Sequence, residues 1–117
     1  MSDGEPGCFV CRKHRGEIEL PGGVLYEDDL VCATHGIIDE GTKRAYLGTL
    51  FVEPRRHVPS MAELSEREAE RIGAVASRLA RALKTGEHAE HVYLFGLGHH
   101  VAHLHLWVVP RYPGTPP

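Results

Sequence analysis

Between residues 100 and 109 two kinds of side chain take turns. Ala102, Leu104, Leu106 and Val108 alternate with His103, His105 and Trp107. A period of two is the signature of a β-strand, whose successive side chains point to opposite faces of a sheet. The run therefore demands a sheet with one face buried against something apolar. Val101, His103, His105, Trp107 and Val109 share the other face, which is the candidate functional face. Four of the nine histidines, His99, His100, His103 and His105, fall within this short stretch.

The cover for the apolar face is legible upstream. SEREAERIGAVASRLARALKTG, beginning at Ser65, opens with Ser65 and Glu68 at capping-box spacing, each able to satisfy an unpaired N–H of the first turn. Ile72, Val75, Ala76, Leu79 and Leu83 follow a helical period and make one apolar stripe. Arg81 and Lys84 suit the last turn, and Gly86 is the expected stop. Val24–Tyr26 and Leu30–Thr34 flank the acidic turn EDD as a hairpin. Leu47–Pro54 is a third strand ended by its proline, and 91–97 and 100–109 are the fourth and fifth. Residues 36–46 are expected to be a loop.

With 117 residues and a net charge of -3, the chain is expected to be one domain spanning 1–117, with a loose start over 1–7 and a proline-rich tail over 111–117. The small charge argues against a nucleic-acid-coating protein. The acidic, polar start MSDGEPGC carries no signal-peptide pattern, no apolar run reaches eighteen residues, and a cytoplasmic location follows as the expectation. Three cysteines are too few for a disulfide scaffold. Cys32 is expected to be a small buried residue without chemistry.

Two chemistries fit an H-x-H pair on one strand face. One is metal binding by neutral imidazole. The other is nucleophilic catalysis through a covalent intermediate. Cys8 and Cys11 form a single C-x-x-C. Outside a strand–helix thioredoxin context this favours zinc over redox chemistry. A closed tetrahedral site then needs two more ligands, for which His57 and His103 are the candidates. Arg55, Arg56 and Arg111 flank the third and fifth strands and could offer guanidinium forks to an anion.

"CFVC", "VLYEDDLV", "GTLFVEPRRHV", the long helix and "HLHLWVVPRY", in that order, resemble the histidine triad (HIT) superfamily from about Cys8 to Tyr112. The resemblance implies an α+β fold: an antiparallel sheet of about five strands with one long helix and a short N-terminal helix or loop. It implies a homodimer, a nucleotide or phosphate ligand, and attack on an α-phosphate through a covalent nucleotidyl-histidine. No membrane or nucleic-acid partner is expected. By motif position His105 is the nucleophile, and in the zinc-binding branch Cys8, Cys11, His57 and His103 hold a structural zinc.

The chain departs from the family pattern at several places. Trp107 stands at the third triad position. His99 and His100 replace the usual glutamine and small hydroxyl residue, which makes His99 a candidate replacement proton donor. Thr49 stands where a histidine commonly follows the third-strand glycine. His35 and Gly36 occupy the region of the ribose-binding acid, with Asp39 the nearest carboxylate. The substrate-binding candidates are therefore Arg111, Thr49, His100 and Asp39. The rival to the enzyme is a non-catalytic, zinc-stabilised nucleotide or phosphate binder. A zinc-stabilised interaction module is a third possibility, but it leaves His105 without a role.

Overall fold

The computed structural model describes residues 5–20, 22–36, 46–96 and 102–114. Helix α1 (Phe9–His14) is followed by β1 (Val24–Glu27), β2 (Val31–His35), β3 (Leu50–Pro54), a single 3₁₀ turn, α2 (Glu66–Gly86), β4 (His91–Gly96) and β5 (Leu106–Arg111). The five strands form one antiparallel sheet in the order β1-β2-β3-β5-β4. The fold is α+β and HIT-like, with one long helix and one short one, as the resemblance implies. No helix among the described residues is long and apolar enough to cross a membrane.

The two faces of the sheet divide the work. Val31, Ala33, Leu50, Val52, Leu106 and Val108 point to one side. There they form the core with Ile72, Val75, Ala76 and Leu83 of α2. Apolar burial of this kind stabilises at roughly 25 cal/mol per Å². Helix α2 starts where the capping box requires. The Ser65 hydroxyl accepts from Glu68 N at 3.1 Å, and Glu68 Oε1 accepts from Ser65 N at 2.8 Å. A second tie fixes α2 against the first hairpin. Arg71 donates to Asp28 Oδ2 at 2.8 Å, and Asp28 Oδ1 closes the EDD turn by accepting from Leu30 N and Val31 N.

Several boundaries differ from the sequence expectation. The third strand begins at Leu50 rather than Leu47. Gly48 takes φ +84°, and a Cβ there would lie 2.7 Å from the Tyr112 hydroxyl and 2.9 Å from Leu83. A turn only glycine fits therefore precedes the ladder. The helix does not stop through Gly86, which is its last residue. Glu87 caps it and His88 takes the left-handed conformation at φ +59°.

The fifth strand begins at Leu106 instead of 100. Leu104 N donates to Val58 O at 2.7 Å, outside the β3–β5 ladder, so the chain joins the sheet only after His105. It then runs through Pro110 to Arg111. Beyond the Leu50–Val108 pair β5 has only β4 beside it, and a proline fits there. Ala102, expected on the helix side, is exposed. Cys32 is fully buried, and burial pushes its thiol up to about 12, in line with an inert residue.

Candidate functional site

The face away from α2 carries the polar chemistry, and α1 lies against part of it. Register places Phe51 of β3, Trp107 of β5 and Phe95 of β4 side by side. Phe95 stacks on Trp107 with centroids 5.6 Å apart, and Phe51 meets the indole edge-on at 4.6 Å. His105 precedes Trp107 by two residues, and its ring lies 6.3 Å from that of Phe51.

At one end of this face four ligands converge. Cys8 caps α1 and Cys11 lies one turn later, so both thiols sit at the start of the helix. His57 follows β3 and His103 precedes β5. His103 Nδ1 is 3.6 Å from Cys8 Sγ, 3.4 Å from Cys11 Sγ and 3.3 Å from His57 Nδ1. Cys11 Sγ is 3.5 Å from His57 Nδ1, and all four donor atoms lie within 4.8 Å of one another. Zinc–sulfur bonds of about 2.3 Å and zinc–nitrogen bonds of about 2.0–2.1 Å require tetrahedral edges of roughly 3.3–3.8 Å, so the donor set fits zinc.

The protonation pattern agrees. His103 Nε2 lies 2.7 Å from Pro54 O, which can only accept, so the proton is on Nε2 and the Nδ1 lone pair faces the cluster. Burial pushes His103 down to about 4 and keeps it neutral, the ligand form. Burial pushes the Cys11 thiol up, and a bound cation would offset that cost. Cys8, Cys11, His57 and His103 together form a group that can hold a metal ion.

The same tautomer logic applies to His105. Its Nδ1 lies 2.8 Å from His103 O, so Nδ1 carries the proton and Nε2 keeps its lone pair. His105 and Trp107 border a cavity of about 190 Å³ that Phe9, Phe51 and the buried Lys13 and Glu53 also line. The indole Nε1 of Trp107 is buried and has no hydrogen-bond partner among the described residues.

Lys13 and Glu53 are functional candidates that sequence reasoning missed. Lys13 Nζ donates to Glu53 Oε2 at 2.8 Å and to Thr34 Oγ1 at 3.3 Å, while His14 Nε2 donates to Glu53 Oε1 at 2.9 Å. Burial works against the charged form of Glu53. The bonds from His14 and Lys13 outweigh it and hold the carboxyl below its ordinary value. Lys13 reads as part of a solvated basic run, RKHR. The available signal was Glu53, a lone acid inside the strand LFVEP.

The remaining candidates lie elsewhere. Arg55 pairs with Glu27 at 3.0 Å, and Arg56 makes a two-pronged bond to Glu68 at 2.8 and 3.1 Å, so neither guanidinium frames an anion site. Thr49 closes the β2–β3 turn, its carbonyl accepting from Gly36 N at 2.7 Å. Arg111 ends β5, where its carbonyl accepts from Glu90 N. Neither lines the cavity. His35, which does, donates through Nδ1 to Gly36 O and accepts from Gly48 N. His99, His100 and Asp39 lie outside the described residues.

The chain is similar to known proteins over most of its length. Over 112 residues the chain is 31% identical to an uncharacterised HIT-like protein of Borreliella burgdorferi, covering 90% of this chain and 76% of that protein. A HIT family protein of Bacillus anthracis superposes with a TM-score of 0.76 at 26% identity, covering 93% of this chain and 76% of that one. A zinc-bound histidine triad family protein of Mycobacterium smegmatis superposes at 0.74 with 26% identity, covering 92% and 77%. Residues 17–114 match the HIT domain, and the chain belongs to that family.

Proposed function

We propose that the protein is a nucleotide phosphohydrolase or nucleotidyl transferase acting at an α-phosphate through His105. The observation that carries this is the His105–His103 bond, which leaves the Nε2 lone pair available beside an aromatic-walled cavity. Nε2 attacks the α-phosphorus, the bond to the leaving group breaks, and the leaving group takes up a proton. Water then attacks the phosphorus, the phosphorus–nitrogen bond breaks, and a nucleoside monophosphate departs.

Trp107 assists as a hydrogen-bond donor to a phosphate oxygen, and its unpartnered Nε1 supports that role. An indole neither gains nor loses a proton near neutral pH, so substrates with good leaving groups are favoured. His99 is the proposed replacement proton donor. Zinc on Cys8, Cys11, His57 and His103 is structural: its four positions are filled by protein, and it ties α1 to the entry of β5. The reducing cytoplasm, which keeps such thiols unoxidised, is the proposed location.

Strand β4 is a sheet edge with Tyr93, Leu94 and Phe95 exposed, which supports a homodimer formed along it. The indole at Trp107 favours one rival, a nucleotide binder without turnover. Intact-protein mass spectrometry with adenosine and inosine 5′-phosphoramidates separates the two. The enzyme gives a nucleotidyl adduct that His105→Ala abolishes. Binding with neither adduct nor product release overturns it in favour of the binder.

A further inference from the structure

The lining of the cavity beside His105 includes a polar pair that the phosphate chemistry leaves unused. Lys13 and Glu53 are 4% and 0% exposed, and both line it. At about 190 Å³ the cavity is smaller than the roughly 300–1,000 Å³ of sites that enclose a whole ligand, so it takes one part of one. The rings of Phe9 and Phe51 suit a flat heterocycle better than a phosphate. The Lys13 ammonium lies 4.9 Å from the Phe51 centroid and 5.8 Å from that of Phe9.

A buried ion pair is not what packing alone would select. An apolar pair of similar volume usually stabilises as well or better. Lys13 has three donors, of which Glu53 and Thr34 take two, and among the described residues no third oxygen receives the last. Each Glu53 oxygen accepts one bond and retains a further lone pair. A charged donor and a charged acceptor thus stand side by side in the lining, shielded from solvent.

Building on the nucleotide reading above, we propose that Lys13 and Glu53 determine base specificity and select a 6-oxopurine, hypoxanthine or guanine, over adenine. The carbonyl oxygen accepts from the Lys13 ammonium, and the adjoining ring N–H donates to Glu53. Adenine places an amino group where that carbonyl would be, setting donor against donor. A site that hydrogen-bonds its ligand rejects a mismatched analogue because its own buried groups are left unpaired.

The test is calorimetric binding of inosine, guanosine and adenosine 5′-monophosphates to the zinc-loaded protein, to Lys13→Met, and to Lys13→Met with Glu53→Gln. The double variant leaves no uncompensated buried charge, so it serves if the single variant fails to fold. The oxopurine nucleotides are expected to bind about tenfold or more tightly than the adenine nucleotide, the scale of one charged hydrogen bond. That ratio should fall toward one in the variants. A merely structural pair would change the melting temperature and leave the ratio alone, which overturns the proposal. Equal or tighter binding of the adenine nucleotide by the unmutated protein also overturns it, with the nucleotide reading intact. Failure of all three to bind overturns both.

Discussion

Nδ1 of His105 donates to the main-chain carbonyl of His103 at 2.8 Å. The residue that supplies a metal ligand through its ring thus sets the tautomer of the candidate nucleophile through its backbone. His103 is held in turn by Pro54 O at 2.7 Å, so the metal site and the phosphate chemistry share one rigid segment. Disturbing the first should be felt in the second.

Zinc content is the first consequence. Freshly purified protein should carry about one zinc per chain by elemental analysis, bound by the four-ligand set. Cys11→Ser or His103→Ala should lose it, as should chelation, and the melting temperature should fall by on the order of 10 °C. A metal-free preparation that melts at the same temperature with and without chelator would remove the structural role.

Trp107 can be tested in two directions. Trp107→His restores an ionisable group and should raise kcat on substrates with poor leaving groups, within the ~10²–10⁴-fold that general acid–base help supplies. Trp107→Phe retains a ring against Phe51 and Phe95 and deletes the N–H. Affinity for a nucleoside monophosphate should then fall by about tenfold, the scale of a charged hydrogen bond. Unchanged kcat in the first variant and unchanged affinity in the second would leave the indole a packing role only.

Asp28 governs part of the acid stability. Burial favours its neutral form, but hydrogen bonds from Tyr26, Leu30 N, Arg71 and Val31 N outweigh burial and hold the carboxyl well below its ordinary range. A group with a lowered folded pKa binds fewer protons folded than unfolded. Its contribution is complete above the unfolded value of about 3.9 and is lost as pH falls toward the folded one. In urea titrations Asp28→Asn should be less stable at pH 7 by roughly 1–3 kcal/mol. It should also show a shallower loss between about pH 5 and pH 2. Parallel losses in the two proteins would place the acid sensitivity elsewhere.

Gly48→Ala should destabilise strongly. The left-handed conformation costs a residue with a Cβ ~1–2 kcal/mol, and crowding of a packed site adds ~1–3 kcal/mol. The new methyl would meet Tyr112, Leu83 and Pro110. Equilibrium unfolding in urea checks this, and a loss under about 1 kcal/mol would mean the turn relaxes.

Local rules made the helix and the first hairpin legible. Ser65 and Glu68 declare the start of α2 by spacing alone, and EDD declares its turn by composition. The entry to β5 misled because alternation continues through His103 and Leu104, while the Leu104–Val58 bond holds them off the ladder. Gly48 lies near the start of a run that looks like strand, and the turn there is explained by the nearness of Leu83, Pro110 and Tyr112, all far along the chain. The C-x-x-C spacing favoured a metal but by itself left redox chemistry open, and the choice of His57 and His103 drew on the family resemblance. The Lys13–Glu53 pair was not legible, since its members are forty residues apart and each alone passes for a surface charge.

The metal cluster also bears on the order in which the chain can fold. Its ligands come from three separate segments, with His57 lying 46 residues from both Cys11 and His103. Gathering them closes two long loops, and the entropy of such closure grows only slowly with length but must be met before any ligand bond forms. The β3–β5 ladder sets His57 and His103 side by side, and α1 then brings the thiols. Zinc capture is therefore expected late, and if so its rate should report when β3 and β5 have joined.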